Sequence, residues 1–582
     1  MGRMGVTTGG GAARGWRSWL PGVSTALAYH RAWLLPDLRA GVVLTALLIP
    51  AGIGYAQVAG LPPVTGLYAT ILPLIAYAVF GPSRILVLGP DSALAPIIAA
   101  AILPLALGDD ERAVALAGML ALMVGAILLF GGVLRLGFVT DLISKPIRIG
   151  YLNAIALIVL LSQVPTLLGF SIDSDTPAGD ASAIAAGIAG GQVDPLAAAF
   201  GVGSLALIVL LSRWRIPGVL VAVVLATALC AILGVQDRLR VVGALPPGLP
   251  APALGGLEWA DAAALAVPAL GIALIAFADT AVLSRSFAAR RGDSVDGSRE
   301  MAAIGLSNLA SGLFGGFPIS GSGSRTPVAE KAGARTQLTG VVGALLILVF
   351  MLATPGLTAY LPSATLAAVV IVAATSLIDV AALIAIARVN RVDALLSVAA
   401  LVGVLAVGAI AGIAVAIALS FVAFVNQAWR PYRAELGRVR GVRGYHDLSR
   451  HPEGERLPGI VIVRFDAPLF FANGGLFDDY VRATVAAAGP SVRTVILASE
   501  PITDIDTTAV DELVELDVYL ASHGITLVFA EMKGPVKDLL RSYGLGERFP
   551  PERFAQTVGA AVDEATGTLR GDLDGTRWDD EP

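Results

Sequence analysis

The hydrophobic positions of this chain form long, almost uninterrupted runs in its first three-quarters. Apolar stretches of roughly 20 residues recur between Leu38 and Gln427, and a helix of that length crosses the ~30 Å hydrocarbon core of a bilayer. After Trp429 the pattern changes to short β-branched runs that alternate with amphipathic segments. The pattern therefore predicts a polytopic helical membrane domain followed by a water-soluble domain.

Three short runs in the second part have the composition of buried strands, and helical segments separate them, which is typical of a small α/β domain. These runs are IVIVRF (460–465), VRTVILAS (492–499) and ITLVFAEM (525–532). We expect five regions along the chain, the last of them polar and disordered. They are a cytoplasmic N-terminal segment (1–36), a transmembrane domain (37–428), a linker (429–456), the α/β domain (457–566) and an acidic tail (567–582).

The distribution of basic residues predicts the topology. Residues 1–36 contain four arginines, no acidic residue and no short apolar core, so we expect no cleavable signal peptide and a cytoplasmic start. Counted from there, basic residues follow every second apolar segment, among them Arg84, Arg148, Arg213, Arg290, Arg335, Arg391 and Arg430. This alternation predicts a multi-pass protein of the inner (cell) membrane with both termini in the cytoplasm, and we count fourteen crossings.

Two of the predicted spans are short and follow Gly- and Pro-rich segments that contain serine. These segments are LGPDSALAP (88–96) and FPISGSGSRTP (317–327). They precede the third and the tenth span, which are equivalent places in two halves of seven spans. Interrupted helices in matching positions indicate a binding site near the membrane midplane of an inverted-repeat transporter. The alternative is that Gly and Pro only loosen ordinary helices, which membrane spans tolerate.

Composition excludes several functional classes. The chain is 56% hydrophobic and 15% charged, with a mean hydropathy of +0.77, which indicates that the lipid bilayer surrounds it. Its formal net charge of -5 indicates no nucleic-acid partner. A single cysteine, Cys230, excludes a disulfide framework, and the four histidines show no metal-ligand spacing. No nucleophile, base and orienting group occur together in a span, so we expect neither an enzyme nor a cofactor or metal site.

Three segments of the membrane domain carry a family resemblance: IPAGIGYAQVAGLPPVTGLYA (49–69), FGPSRILVLGPDSALAPIIAA (80–100) and the stretch from REMAAIGLSNL to ARTQLTG (299–340). They resemble the SulP family of anion permeases. The C-terminal domain, with TDIDTTAVDEL (503–513), resembles a STAS domain. The resemblance covers all of the chain except its two ends.

The resemblance implies fourteen spans in a 7+7 inverted repeat, with a core domain and a gate domain, usually in a homodimer. It implies secondary active transport of a small inorganic or carboxylate anion of the sulfate, bicarbonate or dicarboxylate class, with H⁺ or Na⁺ coupling in some members and exchange in others. Two alternatives stay open at this point. One is a passive anion channel or uniporter, and the other is a membrane scaffold that signals through its STAS domain.

The segment SGSGSRTP contains the first group of candidate anion ligands. The amides of Gly323, Ser324 and Arg325 would open a half-helix whose free N–H groups attract an anion, and the hydroxyls of Ser322 and Ser324 add donors. Arg325 places a full charge at membrane depth, which costs about 2.5–3.5 kcal/mol on an insertion scale. A bound anion would compensate that charge, and an internal carboxylate or snorkelling to a loop are the alternatives.

The facing half-helix begins near Asp91, where the amides of Ser92, Ala93 and Leu94 would complete the anion site. Asp91 itself is a candidate coupling residue, but an aspartate in this place also caps a helix by accepting from free amides, and we prefer that interpretation.

Tyr55 occupies a position at which the resemblance implies an aromatic side chain lining the site, although packing between helices explains it nearly as well. Ala51 departs from family members that have Gln or Glu there, so no side chain at position 51 binds substrate or couples transport.

Asp279 lies in LIAFADTAVLSRSFA (274–288), with Thr280 and Ser284 as its polar neighbours. Isolated carboxylates in such spans often mark a proton or ion path, and the resemblance implies a role in sodium binding for the matching acid of a bicarbonate-transporting member. Asp279 and Thr280 are therefore candidate residues for ion coupling. The alternative is a permanent salt bridge between Asp279 and Arg325.

Thr507 and Thr508 follow Asp506 at the start of a predicted helix of the soluble domain. The resemblance to STAS domains implies a regulatory phosphorylation site in this turn. Helix capping explains Asp506 and the two threonines without regulation, and we prefer that interpretation.

Overall fold

The computed structural model describes residues 20–137, 144–172, 174, 176–214, 217–246, 255 and 258–567. The chain forms two compact units that divide between Ser420 and Phe421. Of the predicted N-terminal segment (1–36), residues 1–19 lie outside the described part of the chain, and so does the predicted acidic tail after Gly567.

Among the described residues as far as Trp429 the regular elements are helices, apart from two short strands. In chain order the elements are α1 (Pro21–Leu27), α2 (Leu34–Val58), α3 (Pro63–Phe80), β1 (Leu88–Gly89), α4 (Ala95–Ala106), α5 (Asp110–Val133), α6 (Lys145–Leu168), α7 (Pro177–Ala189), α8 (Pro195–Ser212), α9 (Gly218–Leu233), α10 (Trp259–Arg290), α11 (Gly297–Leu313), β2 (Ser320–Gly321), α12 (Arg325–Lys331), α13 (Leu338–Ala353), α14 (Ser363–Thr375), α15 (Val380–Val389), α16 (Arg391–Val407) and α17 (Ala409–Trp429).

Seven helical segments among the described residues are long and apolar enough to cross a membrane, and α4, α9 and α13 are shorter apolar helices. A polytopic helical membrane domain is thus confirmed, while the count of fourteen crossings stays a prediction. Polar caps set several of the helix starts, because their side chains accept hydrogen bonds from the first free amides. Asp109 caps α5, Asp194 caps α8, Asp296 caps α11 and Asn390 caps α16.

The helices pack in two groups. The core group comprises α2–α5 and α10–α13, where α11 packs on α3 and α5, and α13 packs on α2 and α3. The gate group comprises α6, α8, α9, α14 and α16, where α14 packs on α6 and α8, and α16 packs on α6. These two groups are the core and gate domains that the resemblance implies.

Glycines permit the closest helix contact of the core group, between α5 and α11. A Cβ atom on Gly305 would lie 2.5 Å from the amide nitrogen of Leu129, and one on Gly125 would lie 2.7 Å from the amide nitrogen of Leu309. Neither distance is possible for real atoms, so small residues are required where these backbones meet, as in other membrane helix pairs.

Each half of the membrane unit has a buried aspartate near the start of its first helix. Asp37, near the start of α2, accepts from the amides of Arg335 at 2.6 Å and Thr336 at 3.1 Å, just before α13. Asp261, near the start of α10, accepts from the Arg112 guanidinium at 2.8 Å, in the first turn of α5. Both carboxylates are buried. Each half therefore ties its first helix to a helix of the same group through a buried aspartate, as expected for an inverted repeat.

The second unit is a six-stranded mixed sheet with helices. Its strands lie in the order β4-β3-β5-β6-β7-β8, with β5 to β8 parallel and β3 and β4 antiparallel. The elements are β3 (Arg433–Arg438), β4 (Tyr445–Asp447), β5 (Ile460–Phe465), α18 (Gly474–Ala488), β6 (Thr494–Ala498), α19 (Thr507–Ser522), β7 (Thr526–Ala530), α20 (Gly534–Ser542), β8 (Phe554–Ala555) and α21 (Val558–Thr566).

The segment predicted as a linker, 429–456, differs from that prediction. It contains β3 and β4, which extend the sheet beyond β5. Both strands are short, and only Ala434 and Leu436 give β3 inward-facing apolar side chains, so the hydrophobic pattern is too weak to separate these strands from a polar connection. The three strands predicted from buried runs are present as β5, β6 and β7.

Candidate functional site

The starts of the two predicted half-helices lie side by side in the core group. β1 precedes α4, β2 precedes α12, and the two strands pair antiparallel, with Leu88 opposite Gly321 and Gly89 opposite Ser320. All four of these residues are buried. The structure therefore joins the two interrupted segments that the sequence places in equivalent halves.

Arg325 is the first residue of α12 and only 3% exposed. Its Nε donates to the Ser322 hydroxyl at 2.8 Å, and its Nη2 donates to the carbonyl oxygen of Pro90 in the other half. Its Nη1 is buried and has no hydrogen-bond partner among the described residues. A Cβ on Gly89 would lie 3.1 Å from that nitrogen, so the absence of a side chain at position 89 leaves room beside the guanidinium.

The charge of Arg325 is not neutralised by a direct ion pair. In the described part of the chain no carboxylate oxygen lies within 4.0 Å of its nitrogens, and the charged or titratable groups that interact with it are Asp91 and Tyr55. The neighbours that hold the guanidinium are a hydroxyl and a carbonyl, both neutral. A buried charge held this way is costly unless an anion joins it, so the geometry favours an anion at Nη1.

The serines of the SGSGS segment divide into two roles. Ser322 is buried, and its hydroxyl oxygen accepts from the backbone amide of Arg325 at 3.2 Å as well as from the guanidinium. Gly323 and Ser324 are exposed, and the Ser324 hydroxyl lies 3.3 Å from that of Ser322. Ser322 therefore orients Arg325, while Gly323 and Ser324 form the open side of the segment.

The turn before α4 satisfies part of its own hydrogen bonding. Asp91 Oδ2 accepts from the amide of Ala93 at 3.1 Å, and the Asp91 carbonyl accepts from the amides of Leu94 at 3.3 Å and Ala95 at 3.1 Å. Short acidic side chains commonly compete for nearby amides in this way. In this conformation the amides of Ala93 and Leu94, which the sequence suggests as anion ligands, bond to Asp91 instead. The Asp91 side chain therefore bonds within the turn, whereas the N-cap residue of α4 is Leu94, where no side-chain cap hydrogen bond forms. The capping and coupling interpretations of Asp91 both stay predictions.

Tyr55 links α2 to both interrupted segments. It is buried, its hydroxyl is a hydrogen-bond partner of the Ser92 side chain, and the charges of Asp91 and Arg325 act on it electrostatically. Ala51 lies one turn earlier on the same helix and is half-buried. The aromatic side chain predicted to line the site thus lies beside the cation and both half-helix starts.

Asp279 is half-buried in the middle of α10. Its partners differ from those expected for a salt bridge between Asp279 and Arg325. No ion pair joins it to Arg325 within the described ranges. Instead its Oδ1 accepts from the Tyr151 hydroxyl of α6 at 3.1 Å, and the charged groups that face it are Arg148 and Asp91. The permanent Asp279–Arg325 salt bridge is therefore absent from this conformation, and the cation and the acid have separate partners.

Tyr151 and Arg148 are not among the site residues predicted from the sequence. They lie three positions apart, on one face of α6 near its start. An arginine followed by a tyrosine at this spacing, just inside an apolar span, was the available signal. This signal does not indicate a site, because topology alone explains an arginine at the cytoplasmic end of a span.

Thr280 positions β2. Its Oγ1 accepts from the amide of Gly321 at 2.8 Å and donates to the carbonyl of Ala276 at 2.6 Å. It is completely buried. The hydroxyl thus holds the strand that leads to Arg325 against α10, next to the candidate coupling acid Asp279.

Thr280→Val is expected to weaken anion binding about tenfold, because it leaves the buried amide of Gly321 without an acceptor at a cost of about 1–3 kcal/mol. Thr280→Ser, which keeps both hydrogen bonds, is the control and should bind like wild type. Isothermal titration of the purified variants checks this. Equal affinities for the Val and Ser variants would show that the hydroxyl does not position the site.

In the second unit, Thr507 and Thr508 are exposed in the first turn of α19. Asp506 caps this helix by accepting from the amide of Ala509 at 2.9 Å, and its other oxygen accepts from the amide of Phe471 at 2.8 Å. The capping interpretation accounts for this geometry. Regulation through the two threonines stays a prediction.

Two family models match the chain. The model described as the sulfate permease family matches residues 34–400, and the STAS domain model matches residues 451–561. The first match contains the core group, the gate helices as far as the middle of α16, and every candidate site residue of the membrane unit. The second contains Thr507 and Thr508.

Relatives and solved structures agree with these matches. A probable sulfate transporter of Mycobacterium tuberculosis is 38% identical over 547 residues, covering 94% of this chain and 97% of the relative. The chloroplastic sulfate transporter 4.1 of Arabidopsis thaliana is 30% identical, covering 90% and 79%. The murine Solute Carrier 26 family member A9 anion transporter, in an inward-facing structure, has a TM-score of 0.88 at 22% identity, with 94% of each chain covered.

A smaller solved structure matches the membrane unit. The transmembrane domain of a cyanobacterium bicarbonate transporter has a TM-score of 0.58 at 24% identity, and the match covers 66% of this chain and 98% of that one. At these identities the structural matches establish the fold alone.

Proposed function

This chain belongs to the sulfate permease family, and we propose that it is a secondary active transporter of a small anion, driven by a proton or sodium gradient. The observation that carries the proposal is the buried Nη1 of Arg325, unpartnered among the described residues and placed where the two half-helices begin. A guanidinium with one free donor fits a bound oxyanion, which accepts such hydrogen bonds.

The substrate would bind between β1 and β2. Arg325 supplies the charge, Ser324 and Gly323 face the open side, and Tyr55 and Ser92 form the opposite wall. These residues come from α2, the turn before α4, and α12, all within the core group. We infer that transport moves the core group relative to the gate group and carries the bound anion with it.

Coupling is assigned to Asp279. Its carboxylate has no ion pair with Arg325 in the described structure. A proton or sodium ion that binds to Asp279 therefore need not displace the Arg325 guanidinium from the anion. A passive channel or uniporter would have no use for an isolated carboxylate at this depth, where acids are costly. A signalling scaffold would leave the unpartnered donor of Arg325 without a role.

Sulfate is the first substrate to test, because two similar relatives are named sulfate transporters, and bicarbonate and a dicarboxylate come next. Uptake of the true substrate into proteoliposomes should saturate with its concentration. The other anions should inhibit this uptake only to the extent that they compete with the substrate for Arg325. Uptake that rises linearly with anion concentration, without competition, would favour a channel.

The assembly and location follow as proposals. We infer a homodimer in the inner (cell) membrane, with both termini on the cytoplasmic side, which places the STAS domain in the cytoplasm. The STAS domain would regulate transport or stabilise the dimer, with Thr507 and Thr508 as its accessible hydroxyls.

Removing residues 430–582 is expected to leave measurable transport, because every residue of the proposed anion and coupling sites lies before Trp429 and the second unit has its own sheet and core. The cut follows α17, so no strand is left without its sheet. Uptake by the truncated protein, normalised to the amount inserted, is the measurement. Complete loss of uptake at normal insertion would make the STAS domain part of the transport machinery.

A further inference from the structure

The two strands at the candidate site are too short to hold themselves in place. β1 and β2 have two residues each, and among the described residues they pair only with each other. A two-stranded sheet is marginally stable even at ordinary strand lengths, and irregular backbone at membrane depth needs a partner for each N–H and C=O group. The edge of β2 that does not face β1 must therefore find its partners outside the sheet.

Asn308 of α11 supplies such partners just before β2. Its Oδ1 accepts from the amide of Ile319 at 2.9 Å, and its Nδ2 donates to the carbonyl of the same residue at 3.1 Å. Nδ2 also donates to the carbonyl of Ile304, one turn earlier in α11, at 3.0 Å. Asn308 is completely buried, so all three bonds are shielded from water. Its side-chain amide thus pairs with Ile319 in both directions, as a neighbouring strand would.

This pairing explains the residue type. A side chain at position 308 must donate and accept at the same time, and a primary amide does both. Leucine has a similar shape but can do neither, aspartate has no N–H group, and glutamine is longer by one methylene. An unpaired backbone group on Ile319 would be costly at this depth, so asparagine is the residue that fits.

Two further side chains hold the same extended stretch. Ser311, on the same face of α11, donates to the carbonyl of Phe317 at 2.7 Å, and Thr280 of α10 accepts from the amide of Gly321 at 2.8 Å. Phe317, Ile319 and Gly321 are alternate residues, and each is bonded to a helix side chain of the core group. The asparagine holds the middle of the three, with one bond to each backbone group.

We propose that Asn308 is a positioning residue for the anion site, which takes the place of a third strand and so fixes Ser322 and Arg325 where an anion can bind. The inference rests on the proposed function, in which Arg325 binds the anion. Ser322 follows β2 directly, and its amide donates to the carbonyl of Val87 at 2.9 Å while its hydroxyl accepts from the guanidinium. A shift of β2 therefore moves the group that orients Arg325.

A positioning role predicts a particular pattern of weakened binding. If β2 is correctly placed for only a fraction of the time, the apparent affinity for every anion is reduced by that same fraction. A residue that contacts the anion would instead weaken anions of different shape to different extents. Equal factors for sulfate and for a dicarboxylate therefore distinguish a residue that acts through Arg325 from one that touches the substrate.

Asn308→Ala is the test, and Asn153→Ala is its matched control. Asn153 of α6 is also buried, donates to the carbonyl of Ile149 in its own helix at 2.8 Å and accepts from the amide of Asp379 at 2.9 Å, but it lies in the gate group. Isothermal titration of the full-length variants with sulfate and with oxalate gives the affinities. Amide hydrogen exchange of residues 317–327, without any anion, reports directly on the placement of β2.

In Asn308→Ala both anions should bind about tenfold more weakly, because a buried amide and a buried carbonyl lose their partner. Exchange in 317–327 should be about tenfold faster, since local opening costs less. Asn153→Ala should melt at a lower temperature but keep the wild-type affinities and the wild-type exchange in 317–327. Ser311→Ala removes a single bond from the same stretch, so it should give smaller shifts in both readouts, and it provides the test if Asn308→Ala does not fold.

Wild-type affinities and wild-type exchange in Asn308→Ala and Ser311→Ala would overturn the inference. Unequal factors for sulfate and oxalate would also overturn it, because Asn308 would then contact the anion. Arg325→Ala in the same titration recognises a failure of the proposed function. If that variant binds sulfate like wild type, the anion site lies elsewhere and the role of Asn308 fails with it. If Arg325→Ala loses binding while the two α11 variants behave like wild type, only the role of Asn308 fails.

Discussion

Arg325→Ala is expected to abolish detectable anion binding while the protein still inserts and folds. The substitution removes the full positive charge at the paired half-helix starts, together with the Nη1 donor that has no partner in the described part of the chain. Truncating one member of a buried, hydrogen-bonded charge pair costs about 2–5 kcal/mol, which is roughly 30-fold to several-thousandfold in affinity. The shift in melting temperature caused by the substrate anion measures this directly.

Arg325→Lys separates charge from geometry. A lysine keeps the charge but lacks the fork that bonds Ser322 and Pro90 while leaving one nitrogen free, so we expect intermediate affinity. The unliganded melting temperatures of both variants report on folding. Stabilisation of Arg325→Ala by the anion to the wild-type extent would show that the anion binds elsewhere.

Asp279→Asn is expected to abolish accumulation of the anion against its gradient and to leave anion binding intact. Asparagine has nearly the same shape, and its Oδ1 still accepts from Tyr151, so the hydrogen bond between α6 and α10 is kept. It cannot take up a proton and has no charge to attract sodium. Uptake in proteoliposomes with imposed pH and sodium gradients, compared with anion exchange without a gradient, is the measurement.

Two outcomes distinguish coupling from a structural role for Asp279. Exchange that continues in Asp279→Asn without accumulation supports coupling. A wild-type accumulation ratio in the variant would rule out the coupling role and leave only the contact with α6. Loss of both exchange and insertion would be attributed to folding, which Asp279→Glu, retaining the charge, would then address.

Much of the core of the site could be predicted from sequence. The Gly- and Pro-rich segments at 88–96 and 317–327 interrupt apolar runs, and the structure brings them together as β1 and β2. Arg325 stands out because a charge at membrane depth requires compensation. The strands β5 to β7 are evident because short β-branched runs between amphipathic segments are typical of the buried strands of an α/β domain.

Other parts of the site depend on contacts between distant segments and could not be predicted. The sequence leaves Asp91 between helix capping and ion coupling, and its hydrogen bond with the amide of Ala93 depends on the shape of one turn. A salt bridge between Asp279 and Arg325 is plausible from the sequence because both are charged and lie in spans. The choice of Tyr151 as the partner depends on where α6 lies relative to α10, which no local pattern encodes.

Coupled transport through Arg325 is tested most directly by sulfate uptake into proteoliposomes of the full-length protein, with and without imposed proton and sodium gradients, beside Arg325→Ala. The expected result is saturable uptake that exceeds the equilibrium level in the presence of one of the two gradients and falls to the protein-free background in Arg325→Ala. Wild-type uptake that only equilibrates sulfate under every gradient, or uptake that Arg325→Ala leaves unchanged, would contradict it.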